Sequence, residues 1–178
     1  MDEPDPRLIR AAAGGDHDAF SDLVRAWQLP VVRYLERLLG DRAAAEDVAQ
    51  EAFLRCYVHL GRYTFKGKFS TWLMSIAHNA GIDAVRKRAR GERATARLPP
   101  PRPSSDPAMR VELAEALAQL PVKLRSAILL VEVTGLRYRE AADVLGVPEG
   151  TVKSRVSHAR ERLVAWMRAG EDESDAVR

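Results

Sequence analysis

Leu98 to Pro107, LPPPRPSSDP, sets the first limit on how this chain can fold. Proline has no amide hydrogen to give, and its ring collides with the preceding helical turn, so no helix can cross this run. The stretch has no apolar periodicity and predicts an extended, semi-rigid linker over 91–108. It divides the chain into a domain at 1–90 and a domain at 109–168. The polar, acidic end AGEDESDAVR is expected to be a disordered tail over 169–178. On both sides of the linker, apolar residues recur at helical spacing and strand patterns are nearly absent. The expected fold class is all-α: two small helical domains, the second carrying a helix-turn-helix.

Before the linker, Leu8 to Ala13 reads as a short helix after Pro6, closed by Gly14 and Gly15. Asp16 or Asp18 can cap the next helix, which carries Phe20, Leu23, Val24 and Trp27. Pro30 is expected to kink or restart it. Val31, Leu35, Leu38 and Leu39 continue the apolar stripe to Gly40. Asp41 then caps a third helix, about 43–60, whose inner face is expected to hold Val48, Ala49, Ala52, Phe53, Cys56 and Tyr57. Its outer face is acidic: Glu46, Asp47, Gln50 and Glu51. Acids are favoured near a helix N-terminus, so a solvated face suffices on physical grounds. A protein partner rich in arginine would also suit it.

Gly61 to Lys68, GRYTFKGK, is a glycine-punctuated loop, both aromatic and basic. A long helix follows from Phe69 to Arg88, apolar at Phe69, Trp72, Leu73, Ile76 and Ala80, and ending in Arg86, Lys87, Arg88 and then Arg90. Aromatic faces stack unpaired bases and cations follow phosphates, so loop and helix suit single-stranded nucleic acid. The alternative is that Trp72 is core and the cations complement the helix C-terminus.

After the linker, two supporting helices, from Met109 to Leu120 and again up to Gly135, precede Tyr138 to Leu163, YREAADVLGVPEGTVKSRVSHARERL. Ala141, Ala142 and Leu145 have helical spacing, Gly146 stands where a left-handed cap belongs, and Pro148 stops one helix and suits the start of the next. In the second helix Val152, Val156, Ala159 and Leu163 share one face. Ser154, Ser157, His158 and Glu161 lie opposite, flanked by Lys153, Arg155 and Arg160. Such an arrangement places its second helix in the DNA major groove. Gly150 near its start allows close approach to the DNA backbone.

Net charge is +3 with a pI near 9.2, a mild excess, so the placement of charge matters more than its sum. Cys56 is the single cysteine, which rules out an internal disulfide, and no cysteine–histidine cluster has metal spacing. His17, His59, His78 and His158 are scattered with no nucleophile beside them. No catalytic group, cofactor or metal is expected. The chain has no apolar run of about 18 residues that would span a bilayer, and MDEPDPRLIR lacks a signal core. A cytoplasmic protein without membrane insertion is expected.

In its order of parts the chain resembles the extracytoplasmic-function (ECF) sigma factors of bacterial RNA polymerase. AAAEDVAQEAFLRCYVHL resembles their polymerase-binding helix. FKGKFSTWLMSIAHNAGIDAVRKR resembles the segment that melts and reads the −10 element. LPVKLRSAILLVEVTGLRYREAADVLGVPEGTVKSRVSHARERL resembles the −35-reading domain. The resemblance implies a non-enzymatic specificity subunit that binds core polymerase, at the β′ clamp helices and the β flap, and promoter DNA, and that has an anti-sigma factor. It implies docking on β′ through Asp47, Gln50 and Glu51, which overrides the solvated-face reading. It implies capture of an unstacked non-template base by Lys66, Lys68, Phe69, Trp72 and Asn79, and duplex contacts by Arg86, Lys87 and Arg88. It implies base or backbone contacts by Lys153, Ser154, Ser157 and His158, with Arg155 and Arg160 flanking. His158 stands where arginine is common in the family. The competing expectation is a stand-alone helix-turn-helix regulator, which leaves the first half of the chain without a role.

Overall fold

The computed structural model describes residues 3–64, 67–92 and 109–176, and among them every regular element is helical. In the first half, α1 spans Pro6–Ala13, α2 His17–Leu39, α3 Arg42–His59 and α4 Phe69–Glu92, with a 3-10 turn at Leu60–Arg62. In the second half, α5 spans Met109–Gln119, α6 Val122–Glu132, α7 Tyr138–Leu145 and α8 Glu149–Ala176.

Aspartates start the early helices, Asp16 and Asp41 as expected and Asp5 in addition. Asp5 accepts from the amide of Arg7, Asp16 from those of Asp18 and Ala19, and Asp41 from that of Ala44. Each satisfies amides that have no partner within the helix. Pro30 does not restart α2, which is continuous from His17 to Leu39. An internal proline costs about 3 kcal/mol. Trp27, Val31, Tyr34, Leu35 and Leu38 flank it and are all buried, so packing offsets that cost. The end of the chain also departs from expectation. Helix α8 continues past Arg168 as far as Ala176, where a disordered tail was expected.

The inner face of α3 consists of small side chains, Ala45, Ala49, Ala52 and Cys56, all buried, which lets α2 and α4 approach closely. Burial pushes the Cys56 thiol up to about 12, so it stays a neutral core group. Tyr57 does not join this face. It is 38% exposed, because at its position the helix has turned towards solvent. Gly81 of α4 is buried against α2, and a Cβ there would lie 2.9 Å from the side chains of Leu35 and Leu38.

The two halves form one continuous core. Helix α6 packs on α2, and α7 packs on α4. Arg125 of α6 spans the junction. It donates to the carbonyl of Leu38 at the end of α2 (2.9 Å) and to those of Ala118 and Leu120 at the end of α5 (2.7 and 3.0 Å). These are carbonyls of terminal helical turns, where partners from outside the helix are needed.

Inside the first half, the hydroxyl of Tyr34 and Nδ1 of His78 share a hydrogen bond across 2.8 Å. Both residues are buried. Burial lowers the His78 pKa to about 4, so the ring is neutral at neutral pH. The unfolded chain binds a proton at His78 near pH 6.5, whereas the folded chain does so only near pH 4. Stability is therefore complete above pH 6.5 and falls as pH drops through that window, by roughly 3 kcal/mol at most. Denaturant titrations should show His78→Gln losing about 2 kcal/mol less than the wild type between pH 7 and 4.5.

Candidate nucleic-acid and polymerase interface

In the helix-turn-helix, Gly146 takes the left-handed conformation (φ 63°), which ends α7 without strain. Val152, Val156 and Ala159 are buried against α6 and α7, so the first part of α8 is fixed in rotation. That phase exposes Lys153, Ser154, Ser157, His158 and Arg160 and leaves Arg155 half-buried. Several of these side chains are already engaged. Ser154 donates to the carbonyl of Thr151 (3.0 Å), and Ser157 donates to Glu161 (3.0 Å). Lys153 pairs with Glu149 at 2.7 Å, and Arg160 pairs with Glu132 at the end of α6. These acids raise the pKa of both cations. Exposed pairs of this kind are weak, so a phosphate can displace the carboxylates.

The second site lies where the loop enters α4. Tyr63, Phe69 and Trp72 form an aromatic cluster, with ring centroids 5.2 Å apart for Tyr63–Trp72 and 5.8 Å for Phe69–Trp72. The Tyr63 hydroxyl donates to the carbonyl of Gly67 (2.6 Å) and so ties the loop across its base. Phe69 is buried and Trp72 half-buried, so Phe69 holds the cluster and Trp72 offers a face. Beside it is a cleft of about 300 Å³, bordered by Arg62, Tyr63, Lys68, Thr71 and Trp72, large enough for one nucleobase. Asn79 follows Trp72 by two helical turns on the same side and is exposed. Lys66 lies outside the described residues.

Glu3 starts α4 from the far end of the sequence. Its two carboxylate oxygens accept from the amides of Phe69 (2.8 Å) and Ser70 (3.2 Å). No local capping signal announced this, because the partner is 66 residues away. At the other end of α4, Arg86, Lys87 and Arg88 are exposed as expected. Arg86 lies 3.9 Å from Asp83, and Arg88 donates to the carbonyl of Leu39 (3.4 Å).

The third surface is formed by α2 and α3. Asp47, Gln50 and Glu51 are all exposed, and Glu51 pairs with Arg55 at 2.8 Å. Beside them runs a groove lined by Phe20, Val24, Leu29, Val32, Phe53 and Leu54, with Arg42, Glu46 and Gln50 on its rim. Leu29, Leu54 and Val58 are 54%, 63% and 72% exposed. This groove was missed in the sequence. Its signal was Leu54, an apolar residue off the inner stripe of α3.

Residues 23–91 match the family model of sigma-70 region 2, and residues 110–163 match sigma-70, region 4. The ECF RNA polymerase sigma factor SigW of Bacillus subtilis is 33% identical over 179 residues, covering 91% of this chain and 96% of its own. SigC of Mycobacterium tuberculosis is 34% identical, covering 92% and 91%. Among solved structures, CnrH in complex with the cytosolic domain of CnrY superposes with a TM-score of 0.73 at 26% identity, covering 91% of this chain and 96% of its own. The sigma factor RpoE of Bartonella quintana, in complex with the anti-sigma factor NepR, gives 0.72 at 26% identity, covering 83% and 97%. The chain belongs to the ECF sigma factors of the sigma-70 family, specificity subunits that bind core RNA polymerase and direct promoter recognition and transcription initiation.

The Glu3 cap gives a local test. Glu3→Ala removes the acceptor for two amides at the start of α4, and a lost cap costs about 1 kcal/mol. Hydrogen exchange should speed up severalfold at Phe69 and Ser70 while the amides of α3 keep their protection.

Proposed function

We propose that the three surfaces divide the work of initiation residue by residue. Asp47, Gln50 and Glu51 dock on the β′ clamp helices, and the apolar groove beside them buries side chains of the same partner. Lys66, Lys68, Trp72 and Asn79 hold an unstacked base of the non-template −10 strand, while Arg86, Lys87 and Arg88 follow the adjoining duplex. Helix α8 reads the −35 element through Lys153, Ser154, Ser157 and His158, with Arg155 and Arg160 on phosphates. The second half meets the β flap. The observation that carries this reading is the aromatic cleft at the start of α4. Such a cleft takes a flipped base, whereas a duplex-only regulator has no use for it. The two family matches, over 23–91 and 110–163, support a division into domains at 1–90 and 109–168.

The chain itself is read as non-enzymatic, like its family. No helix among the described residues is long and apolar enough to cross a membrane. Together with work on chromosomal DNA, this supports a cytoplasmic location. Two structural relatives were solved bound to CnrY and to the anti-sigma factor NepR, which supports an anti-sigma partner here.

Asp47→Arg with Glu51→Arg changes only exposed positions, so folding should be nearly unaffected. Co-elution with core polymerase should weaken at least tenfold, through like-charge repulsion with a basic partner. Retained co-elution would remove these residues from the interface. A protein that never co-elutes with core, mutated or not, would instead be a stand-alone regulator.

On α8, base contacts are worth roughly 1–3 kcal/mol of discrimination each, whereas phosphate contacts act on all sequences alike. His158→Ala should reorder the preferred −35 sequences in a randomised promoter library. Arg160→Ala should lower use of all of them and reduce the salt slope by about one. The opposite pattern would show that the phase assigned to α8 is wrong.

A further inference from the structure

None of the residues assigned to polymerase or DNA lies in 3–13, and the sigma-70 region 2 match begins only at residue 23. This first segment is nevertheless tied to both ends of the loop that leads into α4. At the near end, α1 packs on the 3-10 turn Leu60–Arg62, with Ile9, Ala12 and Leu60 all buried. At the far end, Glu3 accepts from the amides of Phe69 and Ser70 at 2.8 and 3.2 Å. These amides belong to the first turn of a helix, which has no carbonyl of its own to offer them. Trp72 stands at the end of that turn, and its amide donates to the carbonyl of Lys68 at 3.2 Å. The ring that offers its face to the cleft is therefore carried by the turn that Glu3 closes. Glu3 also acts on Tyr63, the ring beside Trp72. Burial, and then the charge of Glu3, raise the pKa of Tyr63, so its hydroxyl stays protonated and keeps donating to Gly67.

We propose that Glu3 is a positioning residue of the −10 site: it fixes the first turn of α4, and with it the Trp72 ring, so that the cleft tells one base from another. Glu3 touches no base, and its effect runs through the backbone. Stacking on an aromatic face is tolerant of sequence, so the ring alone does not choose. Choice requires the ring to keep a fixed spacing from the polar groups of the cleft, Lys68 and Thr71. With two amides left open, the turn frays and that spacing is lost. The cap is itself held in place, because Glu3 lies two residues before Asp5, which starts α1 by accepting from the Arg7 amide at 2.8 Å. A brace already ordered before DNA arrives takes little from the binding energy.

This inference rests on the assignment of Trp72 to an unstacked −10 base, and the experiment keeps the two apart. Holoenzyme assembled with core polymerase transcribes a promoter library randomised at −10 and −35, and the use of each base is read at each position. Trp72→Ala marks the position read by the cleft, because base preference should vanish there. Glu3→Ala should flatten the same position, from a preference of about tenfold to about threefold, and leave the other −10 positions and the −35 ranking as they were. Glu3→Gln keeps an acceptor oxygen and should restore part of the preference. Asp16→Ala is the control. It removes a cap that also serves two amides, at the start of α2, and should leave every preference unchanged.

A mere loss of stability lowers the use of all sequences alike and does not single out one position. Four results would each overturn the positioning role: an unchanged preference in Glu3→Ala, a flattening spread over all positions, no restoration by Glu3→Gln, or equal flattening in Asp16→Ala. The −10 assignment survives any of these as long as Trp72→Ala keeps its mark. If Trp72→Ala flattens no position, that assignment fails and the role of Glu3 falls with it.

Discussion

Helices that end inside a protein leave carbonyls without partners, and Arg125 shows how this chain deals with that constraint. One guanidinium receives the end of α2 from the first half and the end of α5 from the second. Burial lowers the Arg125 pKa, yet arginine starts so high that the group stays charged. A charged donor to carbonyls is stronger than a neutral one, which suits a junction that must hold without a covalent turn. Because the junction joins α2 to α5 and α6, it also decides where α7 comes to rest, and α7 comes to rest on α4.

Helix α4 is the element on which the rest converges. Its start is held by Glu3, its side is pressed to α2 through Gly81 and the Tyr34–His78 pair, and its outer surface carries Trp72 and Asn79. Rigid support of this kind is what a base-capturing site needs, because a flipped base gains little from a cleft that must first be ordered. The surface formed by α2 and α3 is built differently. It combines exposed apolar side chains on α2 and α3 with an acidic rim, a pattern suited to a partner that buries the first and pairs with the second.

Much of this was legible in the chain. The all-helical class, the helix-turn-helix with its glycine cap and the phase of α8 follow from spacing, since an α-helix returns to the same face every three or four residues. The aromatic, basic loop before α4 was equally visible. Local rules failed where packing outweighed them. Pro30 was expected to kink or restart a helix that runs through it without a restart, Tyr57 was assigned inwards from a stripe that had rotated away, and the end of α8 was expected to be a tail.

The sequence by itself determined which helices form, which faces they bury, and the family to which the chain belongs, because those depend on residues near one another in the chain. Only the tertiary structure decided that Glu3 caps α4, that Arg125 joins the two halves, and that Glu140 holds Lys68. Each of these contacts joins residues at least 66 positions apart in the chain. No period or spacing encodes such a contact. It exists only once the apolar faces have packed and brought the charges within hydrogen-bond range.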